Sequence, residues 1–226
     1  MHNYSFNNDY RKKAILIIVF ISIILNLILY FPLNHIIELI CEKSAVFSNF
    51  VYQCDNIGLS INQFTVLGLF GIIYSLYSKV LWKSKLFKRF HNIPDLSGEW
   101  TGSYSSSFKD ENGEPKTGGC AAEIEQSWNK ISIKCTFGES SYSYSKTASL
   151  YVGDIEGNVL TFTYTNDANI PNWEIKKHDG CNILKYKNGI LDGRYFTNRG
   201  SGTHGTLTLY KTPAINEEVN SEKITS

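Results

Sequence analysis

The sequence lacks the short motifs that mark common metal and catalytic sites. Its five cysteines include no Cys-x-x-Cys pair, which argues against a zinc ribbon or a thiol redox centre. It contains no His-Glu-x-x-His segment and no nucleophile elbow, and its five histidines are scattered. We therefore predict a protein that is not an enzyme and that carries neither a metal ion nor a cofactor.

An excess of charge of one sign is also missing. The 22 Lys and Arg residues and 21 Asp and Glu residues leave a formal net charge of +1, which excludes the large basic surplus of a protein that binds polymeric nucleic acid. The basic residues concentrate instead in one short stretch without acidic residues, 79–89. They are Lys79, Lys83, Lys85, Lys88 and Arg89.

Two long apolar runs are present, at 14–31 and 64–82. Each would form a helix of about 28 Å, which matches the hydrocarbon core of a bilayer. Basic residues flank the outer ends of both runs, so the positive-inside rule predicts a transmembrane hairpin with both termini cytoplasmic and 32–63 as a periplasmic connector. Cys41 and Cys54 fall in that connector, where a disulfide or two free thiols are both possible.

The remaining segments divide the chain further. Residues 1–13 are predicted to form a cytoplasmic polar tail, 83–96 a basic juxtamembrane linker and 212–226 a disordered tail. Between them, 97–211 has the pattern of an all-β domain. Its strand-like runs lie near 98–107, 119–128, 130–137, 142–152, 158–166, 181–187, 190–198 and 203–211.

Short turns between these runs predict a small eight-stranded antiparallel up-and-down β-barrel. Asn188-Gly189 is a typical two-residue hairpin turn. The opening Gly98-Glu99-Trp100 resembles the Gly-x-Trp of lipocalin-like barrels, in which the tryptophan plugs one end of the barrel. We therefore expect Trp100 to be a structural plug. Cys120, Cys135 and Cys181 are expected to be buried or half-buried.

Strict alternation predicts an inner face rich in tyrosine. Its members are Trp100, Tyr104, Ile124, Trp128, Tyr142, Tyr144, Phe162, Tyr164, Leu184, Tyr186, Tyr195, Leu207 and Leu209. A buried phenol needs a hydrogen-bond partner, so these tyrosines indicate either a lumen that holds a ligand or hydroxyls that reach water at the barrel mouths.

Two further patterns each leave two interpretations open. Gly68, Gly71, Ser75 and Ser78 form a stripe of small residues that can pack against a second copy or against the first span of the same chain. Arg194 and Arg199 lie near a glycine-rich turn, which is either an anion site or a flexible loop with solvated arginines.

The two apolar runs, the basic linker, "IPDLSGEWTGSY" and "LDGRYFTNRGSGTHGTLTLYK" together resemble one family. These are the two-transmembrane, β-strand-rich effectors of bacterial cyclic-oligonucleotide-based anti-phage signalling (CBASS). The resemblance implies a bacterial inner-membrane protein whose barrel binds a cyclic dinucleotide, the activating ligand, made by a partner nucleotidyltransferase. Binding would drive self-association of the membrane spans, disruption of the lipid bilayer and death of the infected cell.

The chemistry of such a ligand predicts the site. Tyrosines would stack on its bases, while arginine and polar groups would hold its phosphates. The predicted ligand-binding residues are Tyr104, Tyr142, Tyr144, Tyr164, Arg194, Tyr195, Asn198, Arg199 and Thr206. Strict alternation, however, places Arg194 opposite to Tyr195. The alternative functions are a membrane-tethered lipid or small-molecule carrier, a protein-docking barrel and, least supported, an enzyme.

Overall fold

The computed structural model describes residues 1–6, 9–109, 112–138, 141–153, 157–168, 177–200 and 202–213. The chain divides into a unit of helices, Asn8–His91, and a unit of strands formed by Met1–Asn7 together with Asn92–Ser226. The predicted β-rich domain is confirmed, and it is joined to several helices where the sequence predicted a two-helix transmembrane hairpin. The disordered tail predicted for 212–226 lies almost wholly outside the described residues.

The helical unit contains five α-helices and one turn of 3-10 helix among its described residues. They are α1 Tyr10–Ile28, α2 Tyr30–Lys43, α3 Ala45–Asn56, α4 Ile61–Lys79, the 3-10 turn Leu81–Lys83 and α5 Lys85–Lys88. The predicted connector is therefore largely helical, and α3 begins where the Ser44 hydroxyl accepts a hydrogen bond from the Phe47 amide. Cys41 and Cys54 are free thiols.

Membrane crossing stays a prediction. Among the described helices, none alone has the length and hydropathy that a bilayer crossing needs, whereas α1 and α2 meet the criterion as a pair bent by 71°.

Inside the helical unit, α1 packs along α4. The small residues of α4 lie elsewhere: Gly68, Gly71 and Ser75 are exposed, and a Cβ added at either glycine would meet no atom within 4 Å. The interpretation that the stripe packs against α1 is therefore wrong for Gly68, Gly71 and Ser75, while Ser78 is half-buried.

The strand unit forms one closed sheet. Its strands are β1 His2–Phe6, β2 Gly98–Lys109, β3 Pro115–Gln126, β4 Lys130–Phe137, β5 Ser141–Tyr151, β6 Asn158–Ala168, β7 His178–Lys187, β8 Ile190–Thr197 and β9 Thr203–Lys211. The order β1-β4-β3-β2-β9-β8-β7-β6-β5 closes on itself. Each of the eight predicted strands corresponds to one of β2–β9, joined in sequence by antiparallel pairing. Asn188 and Gly189 both have positive φ, as the predicted hairpin turn requires.

Strand β1 was not expected, because residues 1–13 were predicted to be a polar tail. It pairs with β4 at His2 and Asn3 and with β5 from Tyr4 to Phe6. The predicted linker is also shorter than expected. Ile93 and Leu96 are buried at 1% and 0% exposure, and the strand unit begins at Asn92. The sheet thus includes chain segments from both sides of the helices.

The core of the closed sheet contains most of the predicted inner face. Trp100 is fully buried, and its Nε1–H donates to the Leu96 carbonyl at 2.9 Å, in agreement with a structural plug. Cys120 and Cys135 are buried and Cys181 is half-buried, as expected. The other buried apolar side chains include Ile124, Trp128, Ile131, Ile133, Leu150, Leu160, Phe162, Leu184, Leu191, Leu207 and Leu209.

Candidate functional site: an aromatic pocket at one end of the closed sheet

A pocket opens at the end of the sheet where β2, β4, β6 and β8 finish and β3, β5, β7 and β9 start. The space between its walls, together with its opening to solvent, is about 780 Å³. We call it the aromatic pocket. Its lining residues are Tyr104, Ser106, Phe108, Lys116, Phe137, Ser141, Tyr164, Asn166, His178, Tyr195, Thr197, Arg199 and Thr203.

Three tyrosines of this pocket lie over glycines of the neighbouring strand. The sheet register pairs Tyr104 with Gly118, Tyr164 with Gly180 and Tyr195 with Gly205. Because glycine has no side chain, a ring on one strand can lie against the backbone of the next. These pairs keep the three rings against the wall, so that the centre of the pocket stays open.

The distances at these glycines show how close the rings are. A Cβ added at Gly118 would lie 2.9 Å from Tyr104 Cε1, and one at Gly180 would lie 2.4 Å from Tyr164 Cζ. At Gly205 it would lie 2.7 Å from Tyr195 Cε1. These separations are shorter than the roughly 3.5–4.0 Å optimum for carbon atoms. Each glycine therefore positions the tyrosine opposite to it.

The pocket is lined by two basic side chains, Lys116 and Arg199, and by the imidazole of His178. None of the lining residues in the described part of the chain is acidic. The Arg199 guanidinium carbon lies 5.0 Å from the centroid of the Phe108 ring, which holds the arginine by a cation–π contact. The pocket therefore combines planar aromatic surface with positive charge, which suits an anion that carries flat rings.

The tyrosine hydroxyls stay protonated at neutral pH. Burial raises the pKa of Tyr104 and of Tyr195, and the neighbouring Arg199 opposes each shift only in part. Burial also raises the pKa of Tyr164, with a further contribution from Tyr195. A neutral phenol donates a hydrogen bond, so these groups can donate to the acceptor oxygens and nitrogens of a ligand.

Polar groups deeper in the pocket are ordered by contacts within the sheet. Asn166 is 4% exposed, and its Oδ1 accepts a hydrogen bond of 3.0 Å from the Ser141 hydroxyl. Ser106 is 8% exposed, and its hydroxyl oxygen accepts a hydrogen bond of 3.1 Å from the Phe108 amide. In the part of the chain that the structure describes, no group of His, Cys, Asp and Glu side chains has the arrangement of a metal site. The lining side chains offer stacking, hydrogen bonds and positive charge.

Comparison with known proteins identifies the family. The model of the Cap15 cyclic dinucleotide receptor domain matches residues 91–211. A CD-NTase-associated protein 15 of Staphylococcus schleiferi is 30% identical over 139 residues, which cover 60% of this chain and 70% of the relative. The protein of the same name in Yersinia aleksiciae is 26% identical over 144 residues, covering 63% and 67% of the two chains. The chain belongs to the Cap15 family. The resemblance to CBASS effectors is thereby confirmed.

The match to the Cap15 receptor domain covers β2–β9 and every residue of the aromatic pocket. Four of the nine predicted ligand-binding residues line that pocket: Tyr104, Tyr164, Tyr195 and Arg199. The sequence had identified these from tyrosine content and from the arginines beside a glycine-rich turn. The pocket is therefore built partly from residues that the sequence analysis had identified.

Five predicted residues do not line the pocket. Tyr142 and Tyr144 were placed on the inner face by counting alternately along β5, but Ser143 is the buried residue and Tyr144 is 48% exposed. Counting back from the buried Leu150 places both tyrosines inside, but the register is irregular between Ser145 and Thr147. An extra residue in a strand reverses the alternation beyond it. The inward orientation predicted for both tyrosines is wrong.

The other three lie on the outer face or beyond a strand end. Arg194 and Thr206 are exposed and flank the inward Tyr195 and Gly205. The Asn198 side chain is exposed, and its Oδ1 accepts a hydrogen bond from the Asp179 amide at 2.9 Å. The residues that the sequence analysis missed are Ser106, Phe108, Lys116, Phe137, Ser141, Asn166, His178, Thr197 and Thr203. Alternation from Tyr104 along β2 would have indicated Ser106 and Phe108.

Proposed function

We propose that the aromatic pocket binds a cyclic dinucleotide produced by a partner nucleotidyltransferase during phage infection. The observation that carries the proposal is a set of three tyrosine rings that lie against glycines, accompanied by Lys116 and Arg199, within the receptor domain of the family. Aromatic rings can stack on the two bases. Arg199 and Lys116 can neutralise the two phosphates.

The protein acts as a receptor and not as a catalyst in this proposal. Burial raises the pKa of the pocket tyrosines, so they remain protonated and are poor bases and nucleophiles at neutral pH. These tyrosines can therefore recognise the ligand without breaking it. The ligand should therefore be recovered unchanged after prolonged incubation with the protein.

The experiment is a calorimetric titration of the full chain, in detergent or nanodiscs, with cyclic di-AMP, cyclic di-GMP, cyclic GMP–AMP and cyclic UMP–AMP. The full chain is needed because β1 belongs to the closed sheet. We expect saturable binding of at least one compound. Arg199→Ala and Tyr164→Ala should weaken it by about 10-fold or more, since a stacked base contributes about 1–3 kcal/mol.

Two matched variants control for loss of charge or aromatic surface. Arg194→Ala removes an arginine from the outer face of β8, and Tyr144→Ala removes an exposed tyrosine from β5. Both should bind like the unmodified chain. A folded full chain that binds none of the four compounds would contradict the proposal. Binding of an apolar lipid in the same pocket would favour the carrier function instead.

The membrane part of the proposal is supported by the distribution of polarity in the helical unit. Helix α1 buries Ser22 and Asn26 at 0% and 8% exposure, whereas Leu16, Phe20 and Leu27 are 64–69% exposed. The Asn26 Oδ1 accepts a hydrogen bond of 2.6 Å from the Thr65 hydroxyl of α4. Polar contacts between helices and apolar side chains outside are typical of helices surrounded by lipid.

The segments before α1 and after α5 also support an even number of membrane crossings. Strand β1 precedes α1, and β2–β9 follow α5, yet all nine strands belong to one sheet. If α1 and α4 cross a bacterial inner membrane, the segments before and after them must lie on the same side. The basic residues from Lys79 to Arg89 favour the cytoplasmic side.

Occupation of the pocket would then promote self-association through α4 and disrupt the inner membrane. The exposed Gly68 and Gly71 offer a face that another helix can approach closely. Gly68→Leu together with Gly71→Leu should abolish ligand-dependent cross-linking between copies and release of dye from vesicles, while ligand affinity is unchanged. Leu67→Ile, at another exposed position of α4, is the control. Full dye release by the double variant would contradict this step.

A further inference from the structure

Strand β1 occupies an unusual place in the receptor. It contains only five residues, and residues 10–88 of the helical unit separate it in sequence from the other strands. It pairs antiparallel with β4 at His2 and Asn3, and parallel with β5 at Tyr4, Ser5 and Phe6. The family match begins at residue 91 and does not include it. This N-terminal strand therefore lies outside the matched receptor domain.

The side chain of Tyr4 fastens β1 to the turn between β3 and β4. It is 2% exposed; its hydroxyl donates to the Ser127 carbonyl at 3.2 Å and accepts from Gln126 Nε2 at 3.0 Å. The Phe6 ring packs against Tyr4 and Trp128, at centroid distances of 4.8 and 5.6 Å. A loosely attached tail would not bury a tyrosine in this way.

The strands that hold β1 are also strands of the aromatic pocket. Direct pairing of β4 with β5 is confined to Lys134–Phe137 against Ser141–Tyr144, and Phe137 and Ser141 line the pocket. Beyond that pairing, β1 lies between the two strands. We call this β4–β5 boundary, from the pocket to β1, the β4–β5 seam.

The strands β4 and β5 separate at the register irregularity of β5, between Ser145 and Thr147. There the Ser145 hydroxyl oxygen accepts a hydrogen bond from the Ile133 amide at 3.0 Å and lies 2.8 Å from His2 Nε2. His2 of β1 thus contacts the residue at which β5 leaves β4. A change in the separation of β4 and β5 at the pocket would alter the space that β1 fills.

Gln126 joins β1 to the other connection with the helices. Its Oε1 accepts a hydrogen bond from the Leu96 amide at 2.7 Å, while its Nε2 donates to the Tyr4 hydroxyl and, at 3.3 Å, to the Pro94 carbonyl. Tyr4 lies six residues before α1, and Pro94 lies six residues after α5. One buried side chain therefore holds both chain segments that lead to the helical unit.

We propose that β1 is a coupling strand: its docking in the β4–β5 seam and the binding of a cyclic dinucleotide in the aromatic pocket stabilise one another. Gln126 extends the effect to the segment that follows α5. This rests on the proposed function. Because coupling is reciprocal, ligand binding must shift the docking equilibrium of β1 towards the docked state. Loss of the β1 contacts must then lower the affinity for the ligand by the same factor.

The first measurement is hydrogen exchange of the full chain in nanodiscs, with and without the cyclic dinucleotide that binds most tightly among the four compounds. We expect the amides of residues 3–6 to exchange at least about fivefold more slowly when the ligand is bound, the lower end of ordinary coupling between sites. This measurement needs no substitution, so it is informative even if a variant fails to fold.

The second measurement compares Tyr4→Ala with Ser5→Ala. Ser5 is the exposed neighbour of Tyr4 on the same strand, so its substitution leaves the Gln126 contacts in place. Tyr4→Ala should weaken ligand binding at least about fivefold, although Tyr4 does not line the pocket. Ser5→Ala should bind like the unmodified chain.

The outcomes separate the two proposals. If the ligand binds but exchange of residues 3–6 does not change, or if a folded Tyr4→Ala chain binds as tightly as Ser5→Ala, the coupling role of β1 is overturned and the receptor function stands. If none of the four compounds binds the unmodified chain, the proposed function fails and the coupling fails with it.

Discussion

The contact of pocket tyrosines with glycines of the neighbouring strand can be tested by substituting the adjacent residues Gly118 and Gly119. A Cβ at Gly118 would lie 2.9, 3.0 and 3.1 Å from Tyr104 Cε1, hydroxyl and Cζ, whereas one at Gly119 would meet its nearest atom at 4.0 Å. To reach an ordinary contact of about 3.5 Å, the Tyr104 ring must move by about 0.6 Å into the pocket.

The contrast between these two positions gives the expected magnitude. All three close atoms in Gly118→Ala belong to the end of one side chain, so the ring can move while the backbone stays. A partly displaced stacking ring should cost a fraction of the roughly 1–3 kcal/mol of a full stack, or about a three- to tenfold loss of ligand affinity. Both substitutions lower the conformational entropy of the unfolded chain to a similar extent, an effect of about 0.4–1 kcal/mol on the free energy of unfolding.

The assay is calorimetric titration of the full chain with the tightest-binding cyclic dinucleotide, alongside urea unfolding of each variant. Gly119→Ala should bind like the unmodified chain. In a Tyr104→Ala background, adding Gly118→Ala should have no further effect on affinity, because the ring through which it acts is gone. Equal affinity of Gly118→Ala and Gly119→Ala would refute the positioning role of Gly118.

Three other predictions concern stability and coupling. Burial raises the pKa of the Cys135 thiol to about 12 from 9.0. Because this pKa is higher in the folded than in the unfolded state, the protonated thiol makes its full contribution to the free energy of unfolding below about pH 9. That contribution falls as the pH rises towards 12, by up to about 1.4 kcal/mol per pH unit. Urea unfolding of Cys135→Ala should show a shallower decline between about pH 9 and 11, and an identical decline would contradict this. Trp100→Phe removes the hydrogen bond to the Leu96 carbonyl and should lower the free energy of unfolding by about 1–3 kcal/mol without changing ligand affinity; a change in affinity would place Trp100 in the site. Replacing 84–91 by a long flexible segment should weaken ligand-dependent dye release from vesicles and leave affinity intact, and unchanged release would exclude this segment from the coupling.

Local sequence information was sufficient for the strands β2–β9. Alternation of apolar and polar residues and explicit turns such as Asn188-Gly189 are short-range signals, and antiparallel neighbours joined by short turns follow from them. The same signals located Trp100, Tyr104, Tyr164 and Tyr195 on the inner face. Because these assignments depend on period and turn chemistry alone, a single sequence was enough to make them.

Tertiary structure decided the features that depend on contacts between distant segments. Counting along β5 could not detect its irregularity between Ser145 and Thr147, so Tyr142 and Tyr144 were assigned to the wrong face. Nor could the five residues of β1 be recognised as a strand, because their partners lie more than 120 residues away in the chain. The role of the glycines that contact the tyrosines could be recognised only from the strand register. The position of each ring depends on a residue of the next strand and not on a neighbour in sequence.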